Sequence, residues 1–520
     1  MRILSDARGG DHECQTCCGE TRWGAWFVVR RSRVRVFPAL VGLITLSFLT
    51  GCKPVGPDYK RPAYTAPDVY KETGAPTVTP PPNPAGGSWT PANPSDGMLR
   101  GKWWEVFADP QLNQLEERIS TDNQALQQAI HNYLAAHDQI AVVRSSLFPT
   151  LSAGPSVTHS QLSEHRAAFA VGAKTSYNDF VIGGQAGWEP DFWGRVRRNV
   201  EAAHANAQAS AAEVASVNLS LQAEMAADYF QLRGLDSQIK LLKSTVGDLE
   251  RQLDLTQRRL KGGVATAADV AQAETQLQTV RAQLVDVSVG RAQFEHAVAT
   301  IANYNVPGFA IPFSPLDLPL PKVPVGVPSQ LLERRPDIAS QERQAAAANA
   351  RIGINIAAYY PTISLSGTGG FESTHGGTWL QGPSAFWSLG AQAAELLFDA
   401  GQRHALTDQA RQQFESQSAA YRNTVIQAFQ DVEDNLSTLR ILDQELAGEQ
   451  QAVAAAQRSF NISNQRYKCG VTGYLEVLTA ESTLLSNQRT LTDLETRQFA
   501  ATVQLIRALG GGWDVTQLPK

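Results

Sequence analysis

The amino-acid sequence predicts an α+β membrane protein in which long antiparallel coiled-coil helices are joined to four strands. Three observations predict this class. The 520 residues are 43% hydrophobic, yet no apolar run reaches the ~18 residues of a membrane-spanning helix, which excludes a polytopic helical membrane protein. The two halves of the chain match at a fixed offset, which indicates an internal structural repeat. Heptad spacing fills the proline-free segments, and alternating apolar residues mark the strands.

The N-terminal 51 residues indicate an export signal. Four arginines between residues 30 and 35 precede the apolar segment 37–49, which has signal-peptide length. It ends in Leu49-Thr50-Gly51-Cys52, which resembles a bacterial lipobox. We therefore expect Cys52 to carry diacylglycerol and an N-acyl chain, and Lys53 favours sorting to the outer membrane. The alternative is a plain secretory signal with an incidental cysteine.

Residues 1–29 precede any ordinary signal sequence. They hold three cysteines beside His12, which superficially resembles a metal site. A start site assigned too early explains them better, and initiation is expected near Val29 or Val34. Removal of the signal leaves two cysteines, of which Cys52 is the expected lipid carrier, so no intrachain disulfide is available.

Proline divides the rest of the chain. Residues 53–94 hold eleven prolines and residues 307–336 hold eight, whereas 191–306 and 384–518 hold none and should be helical. The predicted segments are a signal peptide with a mis-assigned extension (1–51), a lipidated extended tether (52–100), a first repeat of one helix, two strands and a helical hairpin (101–306), a proline-rich linker (307–327), a second repeat (328–510) and a short C-terminal tail (511–520).

The repeat is clearest around two glycine turns. A shift of 207 residues places the segment from Arg259 to Val264 on the segment from Arg466 to Val471. Apolar residues in steps of three and four precede and follow both turns, as in a coiled-coil seam. Residues 194–260 as one helix would be roughly 100 Å long. Each glycine turn then folds a second long helix back along the first.

Four segments alternate between apolar and small polar residues. They are 147–158, 182–188, 363–368 and 387–393. This pattern is typical of a barrel wall between lipid and water, although a half-buried sheet in a soluble domain shows it too. Four strands cannot close a barrel, and open edges are not tolerated in lipid, so the barrel must be shared between chains. Two chains would give eight strands and three would give twelve.

Several motifs resemble those of the TolC-like outer membrane factors, specifically the NodT-type efflux outer membrane lipoproteins. Beside the glycine turns, they are Val55-Gly-Pro-Asp-Tyr-Lys-Arg-Pro62, Trp103-Trp104-x-x-Phe107-x-Asp109-Pro110-x-Leu112, Leu331-Leu-Glu-Arg-Arg-Pro-Asp-Ile338 and Phe398-Asp399-x-Gly401. The resemblance covers residues 49 to 510. It implies a homotrimer with an α-helical barrel in the periplasm and a 12-stranded transmembrane β-barrel, to which each chain contributes four strands.

The resemblance also implies a function. It is that of the outer membrane channel of a tripartite efflux system, a passive conduit for drugs or other small toxic compounds. The implied partners are outer membrane lipid, a periplasmic adaptor (membrane fusion) protein and an inner-membrane pump, usually proton-driven. An outlet for type I protein secretion is an alternative within the channel class. A lipid-anchored coiled-coil structural protein without a pore is the alternative outside it.

The family closes its tunnel at the helical tips, and the resemblance implies gate residues here. Tyr467 is similar to a tip tyrosine that hydrogen-bonds to an acid on the neighbouring hairpin, here Asp269. Glu476 matches the first of two acidic positions that face the pore and attract cations, and a solvated helix charge is its alternative role. The sequence departs from the family twice: Thr479 stands at the second acidic position, and Thr472 where a latch arginine can sit.

Four turn residues are candidates for contact with the adaptor. They are Gly263, Val264, Gly470 and Val471. Their alternative role is to form the helical turn itself, because glycine readily adopts positive φ. Both roles are compatible with each other.

Other function classes find little support. The formal charge of −5 argues against a nucleic-acid partner. The nine histidines are scattered, and no metal-ligand spacing, nucleophile elbow or phosphate loop follows the signal segment, so we expect neither enzymatic activity nor a cofactor. The substrate cannot be read from this chain, because in this family the pump usually selects it.

Overall fold

The computed structural model describes residues 53–67, 70–73, 101–163, 165, 175–324 and 328–519. The predicted signal segment, the lipidation site Cys52 and most of the predicted tether lie outside these ranges. Within them, no helix is both long and apolar enough to cross a membrane.

Eight α-helices and four strands make up the described part of the chain. The helices are α1 (Pro110–Asp122), α2 (Gln124–Ser145), α3 (Arg195–Lys261), α4 (Ala267–Ile301), α5 (Leu331–Arg334), α6 (Pro336–Ala357), α7 (Gln402–Lys468) and α8 (Tyr474–Ala508). The strands are β1 (Thr150–Gln161), β2 (Ser176–Trp188), β3 (Thr362–Ser373) and β4 (Ala385–Ala394).

The long helices confirm the internal repeat. Helices α3 and α7 have 67 residues each, and α4 and α8 have 35 each. Their bounds are related by the same shift of 207 residues that aligns the sequence halves. Both 67-residue helices follow a glycine in the left-handed region, Gly194 at φ 83° and Gly401 at φ 88°. At ~1.5 Å per residue each is roughly 100 Å long.

Each pair of long helices forms an antiparallel hairpin with an apolar seam. The seam between α3 and α4 includes Ile239, Leu242, Leu249, Leu277 and Val280. The corresponding cluster between α7 and α8 is smaller, with Leu442, Leu494 and Ala501. Fewer large side chains are therefore buried in this cluster than in the seam of the first hairpin.

The four strands form one antiparallel sheet in the order β1-β2-β3-β4. The pairing of β2 with β3 joins the two repeats, with Gly184 opposite Gly369. Large apolar side chains such as Leu151, Trp387 and Leu389 are exposed. The outer edges of β1 and β4 pair with no other strand among the described residues. One chain therefore leaves a sheet with apolar exposure and two open edges, as the sequence predicts.

The main core lies where the short N-terminal helices pack on the hairpins. Phe107 contacts Phe230 of α3 and Phe499 of α8, with ring centroids 4.8 and 6.2 Å apart.

The first repeat opens with two helices, whereas the sequence predicts one. The division falls at Asn123, whose side chain accepts from the Leu126 backbone N–H and caps α2.

The proline-rich N-terminal segment is extended and is bound along the helices. The backbone N–H of Val55 donates to the Trp193 carbonyl at 3.0 Å. Farther along, the Tyr59 hydroxyl donates to the carboxylate of Glu342 in α6 at 2.9 Å. The described part of the predicted tether is therefore docked, because its backbone and tyrosines find partners that a free linker lacks.

Candidate functional site

The two hairpin tips have the same backbone geometry. The Val264 N–H donates to the Arg259 carbonyl, and the Val471 N–H donates to the Arg466 carbonyl, both at 2.9 Å. The glycine before each valine is left-handed, at φ 74° and 75°. These features define a Schellman turn, which satisfies carbonyls at the end of a helix.

The turns project one valine each into solvent. Val264 is 67% exposed and Val471 is 66% exposed. A side-chain carbon added to Gly263 would meet no atom within 4 Å. The four predicted tip residues therefore form two matched, exposed apolar knobs at the same end of the hairpins.

Tyr467 lies inside the tip. It is buried with Ala273, Tyr474 and Val477, and its ring centroid is 5.5 Å from that of Tyr474. Its hydroxyl lies 3.4 Å from the hydroxyl oxygen of Thr256 on α3. The predicted gate tyrosine therefore binds the first hairpin of its own chain.

Asp269 has a different set of partners. Its carboxylate accepts from both the backbone N–H and the hydroxyl of Thr266 at 2.8 Å, and the Thr266 hydroxyl accepts from its backbone N–H. This capping box begins α4. The structure does not bring Asp269 and Tyr467 together within one chain, so a latch between them stays a prediction about neighbouring chains.

Glu476 lies in the first turn of α8 and is exposed. Among the described residues it has no hydrogen-bond or ion-pair partner, and the positive end of the helix dipole favours its carboxylate there. Thr479, one turn later, donates its hydroxyl to the Leu475 carbonyl at 2.9 Å. The hydroxyl of Thr472 is buried without a partner. Of these three residues, only Glu476 carries a charge, and that charge has no partner among the described residues.

A model of the outer membrane efflux protein family matches residues 117–303 and 327–511. The chain belongs to this family. The predicted location in the outer membrane, with the long helices extending into the periplasm, is thereby confirmed.

Relatives and solved structures agree with this family. The toluene efflux pump outer membrane protein TtgC of Pseudomonas putida is 30% identical over 479 residues, which are 91% of this chain and 96% of the relative. The pyoverdine export outer membrane protein OpmQ of Pseudomonas aeruginosa is 30% identical over 427 residues, 81% of this chain and 90% of the relative.

The outer-membrane channel OprN superposes with a TM-score of 0.79 at 27% identity, covering 88% of this chain and 99% of that one. CusC, at 24% identity, has the same fold, with a TM-score of 0.77 over 88% of this chain and 100% of that one. The predicted fold class is confirmed.

Sequence reasoning did not assign two residues near the tip of this efflux family member. Arg259 reaches from α3 to the end of α7, where Nη1 donates to the Tyr467 carbonyl at 2.8 Å. The sequence identifies Arg259 as the first residue of the repeated turn motif, but it does not indicate that Tyr467 is its partner. Arg466 at the matching position is exposed.

The second of these residues is Glu481 of α8. It is 5% exposed, and one of its carboxylate oxygens has no hydrogen-bond partner. Burial, with a smaller contribution from Asp248 on α3, raises its pKa to about 7. Its repeat counterpart Glu274 is exposed, so the two matching positions differ in burial and the repeat alone does not indicate that Glu481 is buried. Among the described residues, no group of acidic, histidine or cysteine side chains is placed to hold a metal ion.

Proposed function

We propose that this protein is the channel of a tripartite efflux system and acts as a homotrimer. The observation that carries the proposal is that one chain combines a sheet with two open edges and two helical hairpins, in each of which the longer helix is roughly 100 Å long. An open edge in lipid leaves backbone groups without partners, so strands of other copies must complete the sheet. Three copies give twelve strands, which leave room for an aqueous bore.

The proposed cargo is small organic compounds that are toxic to the cell. Relatives over most of the chain are named for antibiotic, toluene and pyoverdine export, which supports this class. We propose no catalytic step and no cofactor. Movement through the channel is passive, and the energy comes from an inner-membrane pump, for which a proton-driven type is proposed.

The proposed adaptor contact is the pair of exposed tips. Val264 and Val471 are presented by identical turns, so a periplasmic adaptor can bind both hairpins of one protomer with one kind of groove. Burying two valines offers about 3 to 6 kcal/mol per protomer before the costs of association. Gly263 and Gly470 serve this contact by keeping the turn compact.

The proposed gate lies beside this contact. Glu476 has a free carboxylate at the tip, and threefold symmetry would place three such carboxylates around the pore axis. A ring of carboxylates attracts cations. Thr479 supplies no second charge, so the ring has one layer. A latch between Asp269 and Tyr467 is proposed to act across protomers.

The proposed membrane anchor is a lipid on Cys52. Residues 53–56 are held close to Trp193, just before α3, by the hydrogen bond from Val55. Because β2 ends at Trp188, this position places the start of the tether beside the sheet. Mass spectrometry of the mature N-terminus tests the anchor: a diacylglycerol and an acyl chain on Cys52 are expected, and an unmodified cysteine would exclude it.

The channel proposal is tested with purified full-length protein in planar bilayers. We expect trimers with discrete conductance that cations such as Co²⁺ block, and weaker block in Glu476→Gln. Glu445→Gln, an exposed carboxylate in the middle of α7, is the matched control and should leave block unchanged. A trimer without conductance would contradict the channel and favour the structural coiled-coil protein. Deletion that abolishes export of a polypeptide, with drug tolerance intact, would favour the secretion outlet.

A further inference from the structure

Helices α3, α6 and α7 enclose a groove of about 580 Å³, called the α6 groove below. Its floor includes Ala209 of α3 and Ala347 and Ala348 of α6, whose small side chains leave room for a ligand. The amide and hydroxyl groups that line it come from Asn206, Ser210, Ser340, Gln344, Gln413 and Gln417. Cavities of this volume hold drug-sized molecules elsewhere.

The α6 groove lies on the side of α6 that faces away from the N-terminal segment. That segment contacts the other side, where the Tyr59 hydroxyl donates to the Glu342 carboxylate at 2.9 Å. Ser340 and Gln344 are each two residues from Glu342, which is about 200° round a helix of 3.6 residues per turn. The segment continues towards the proposed lipid anchor and therefore lies outside the tube, so the groove faces the proposed tunnel.

Two opposite charges border the groove. Arg351 of α6 and Glu213 of α3 both line it, and both side chains are exposed. Among the described residues neither side chain has an ion-pair or hydrogen-bond partner. They are therefore too far apart to neutralise each other, and each is available to a ligand group of opposite charge.

The internal repeat shows that these charges are particular to the α6 groove. Helix α2 matches α6 at a shift of 212 residues, which aligns both ends of the two helices. Gln139 stands at the position of Arg351, and at the 207-residue shift Ala420 stands at that of Glu213. The packing that the two halves share therefore requires neither charge, which favours a role in binding over a role in the fold.

We propose that the α6 groove binds small zwitterionic compounds on their way through the tunnel. Arg351 binds an anionic group such as a carboxylate, and Glu213 binds an ammonium group. The amides and hydroxyls of the groove bind the polar atoms between these two ends. This inference rests on the proposed channel and names a class of its cargo. Both charges are open to water, so the binding is weak and the cargo can leave, as conduction requires.

The experiment measures equilibrium binding of ampicillin to the full-length protein in detergent at pH 6, with benzylpenicillin as the comparison probe. Both molecules carry a carboxylate, and only ampicillin also carries an ammonium group. We expect the wild type to bind ampicillin about tenfold more tightly, since the ammonium group gains a charge-assisted hydrogen bond to Glu213.

Variants assign the two ends of the ligand. Arg351→Gln, which gives α6 the residue that α2 has at this place, should weaken binding of both probes about tenfold. Arg351→Lys should retain part of the binding, because it keeps the charge. Glu213→Gln should weaken binding of ampicillin alone and remove the preference. Arg422→Gln and Glu415→Gln, which remove exposed charges from the side of α7 opposite Gln413, are the matched controls and should bind as the wild type does.

Several results would overturn the inference. No binding by the wild type, or equal affinity for the two probes, would exclude a zwitterion site. Equal losses in Arg351→Gln and Arg422→Gln would reduce the effect to overall charge. Conductance in planar bilayers separates the inference from the proposed function: a conducting trimer without the preference contradicts the groove alone. A protein that shows the preference but never conducts contradicts the channel.

Discussion

Replacing Glu481 by glutamine should change how the stability of the helical assembly depends on pH. The carboxyl lies between α8 and α3, buried, with one oxygen unpaired. The charged groups that act on it are Asp248 from α3 and, when ionised, Tyr474 of its own helix. No titratable group of α7 contributes. Glutamine has the same shape and no charge, so the substitution isolates the cost of ionisation.

The sign follows from the raised pKa of Glu481. The unfolded chain releases this proton near pH 4.5, whereas the folded protein keeps it up to about pH 7. Between these values the folded state binds more protons, so stability falls as pH rises and levels off above pH 7. At about 1.4 kcal/mol per pH unit, the loss is about 3 kcal/mol per protomer.

The assay is unfolding of the full-length protein in detergent between pH 4 and pH 8.5, followed by tryptophan fluorescence. Wild type and Glu481→Gln should have similar unfolding midpoints at pH 4, and the variant should be the more stable above pH 7. Glu274→Gln, at the exposed repeat position, is the control for loss of a carboxylate. Parallel pH profiles for wild type and Glu481→Gln, or a variant less stable at pH 8, would refute the reasoning.

Two further predictions concern packing and the tip. Gly234→Ala should lower the free energy of unfolding by about 1 to 3 kcal/mol, because the added carbon would lie 2.1 Å from the hydroxyl oxygen of Thr496. Gly448→Ala, with open space around the added carbon, should instead stabilise α7 by up to about 1 kcal/mol. Chemical denaturation measures both changes. Asp269→Ala should make cells leakier to large antibiotics, and Thr266→Ala, which removes the same cap but keeps the carboxylate, should not; equal uptake in the two variants would reduce Asp269 to a helix cap.

Much of the fold is predictable because local rules repeat in both halves. The 207-residue shift anticipates that Arg195–Lys261 and Gln402–Lys468 have the same length, since each helix begins after a glycine and ends at a glycine turn. Alternating residues located all four strands, with ends that differ from the observed bounds by up to six residues. These signals lie within one element, so no knowledge of packing is needed to read them.

What the sequence did not predict depends on contacts between elements. The division of the first helix at Asn123 is stabilised by a hydrogen bond from its side chain to the Ile301 carbonyl, far along the chain. Glu274 and Glu481 occupy matching positions, yet only the second is covered, because α8 packs against α3 there. At the tip, the predicted Tyr467 is bound by Arg259 and Thr256, which no spacing rule pairs with it.

A second pair of matching arginines shows how the repeats diverged. Arg233 of α3 is 4% exposed and donates to the Pro312 carbonyl of the proline-rich linker at 2.7 Å. Arg440, at the same position of α7, is 49% exposed and binds the carboxylate of Glu72 in the N-terminal segment at 2.7 Å.

Each hairpin thus uses the matching arginine to bind a proline-rich part of the chain, Arg233 through the Pro312 carbonyl and Arg440 through the Glu72 carboxylate. In the linker, the prolines have no N–H and their carbonyls need a donor from elsewhere, which the Arg233 guanidinium supplies to Pro312. The linker contact is buried beside Asp236 and Arg291, whose guanidinium donates to the Ile311 carbonyl at 2.8 Å. The N-terminal contact is open to water and therefore weaker. The linker is the firmer of the two attachments, which suits a segment that must hold both repeats in one register, while the N-terminal segment has only to follow the helices.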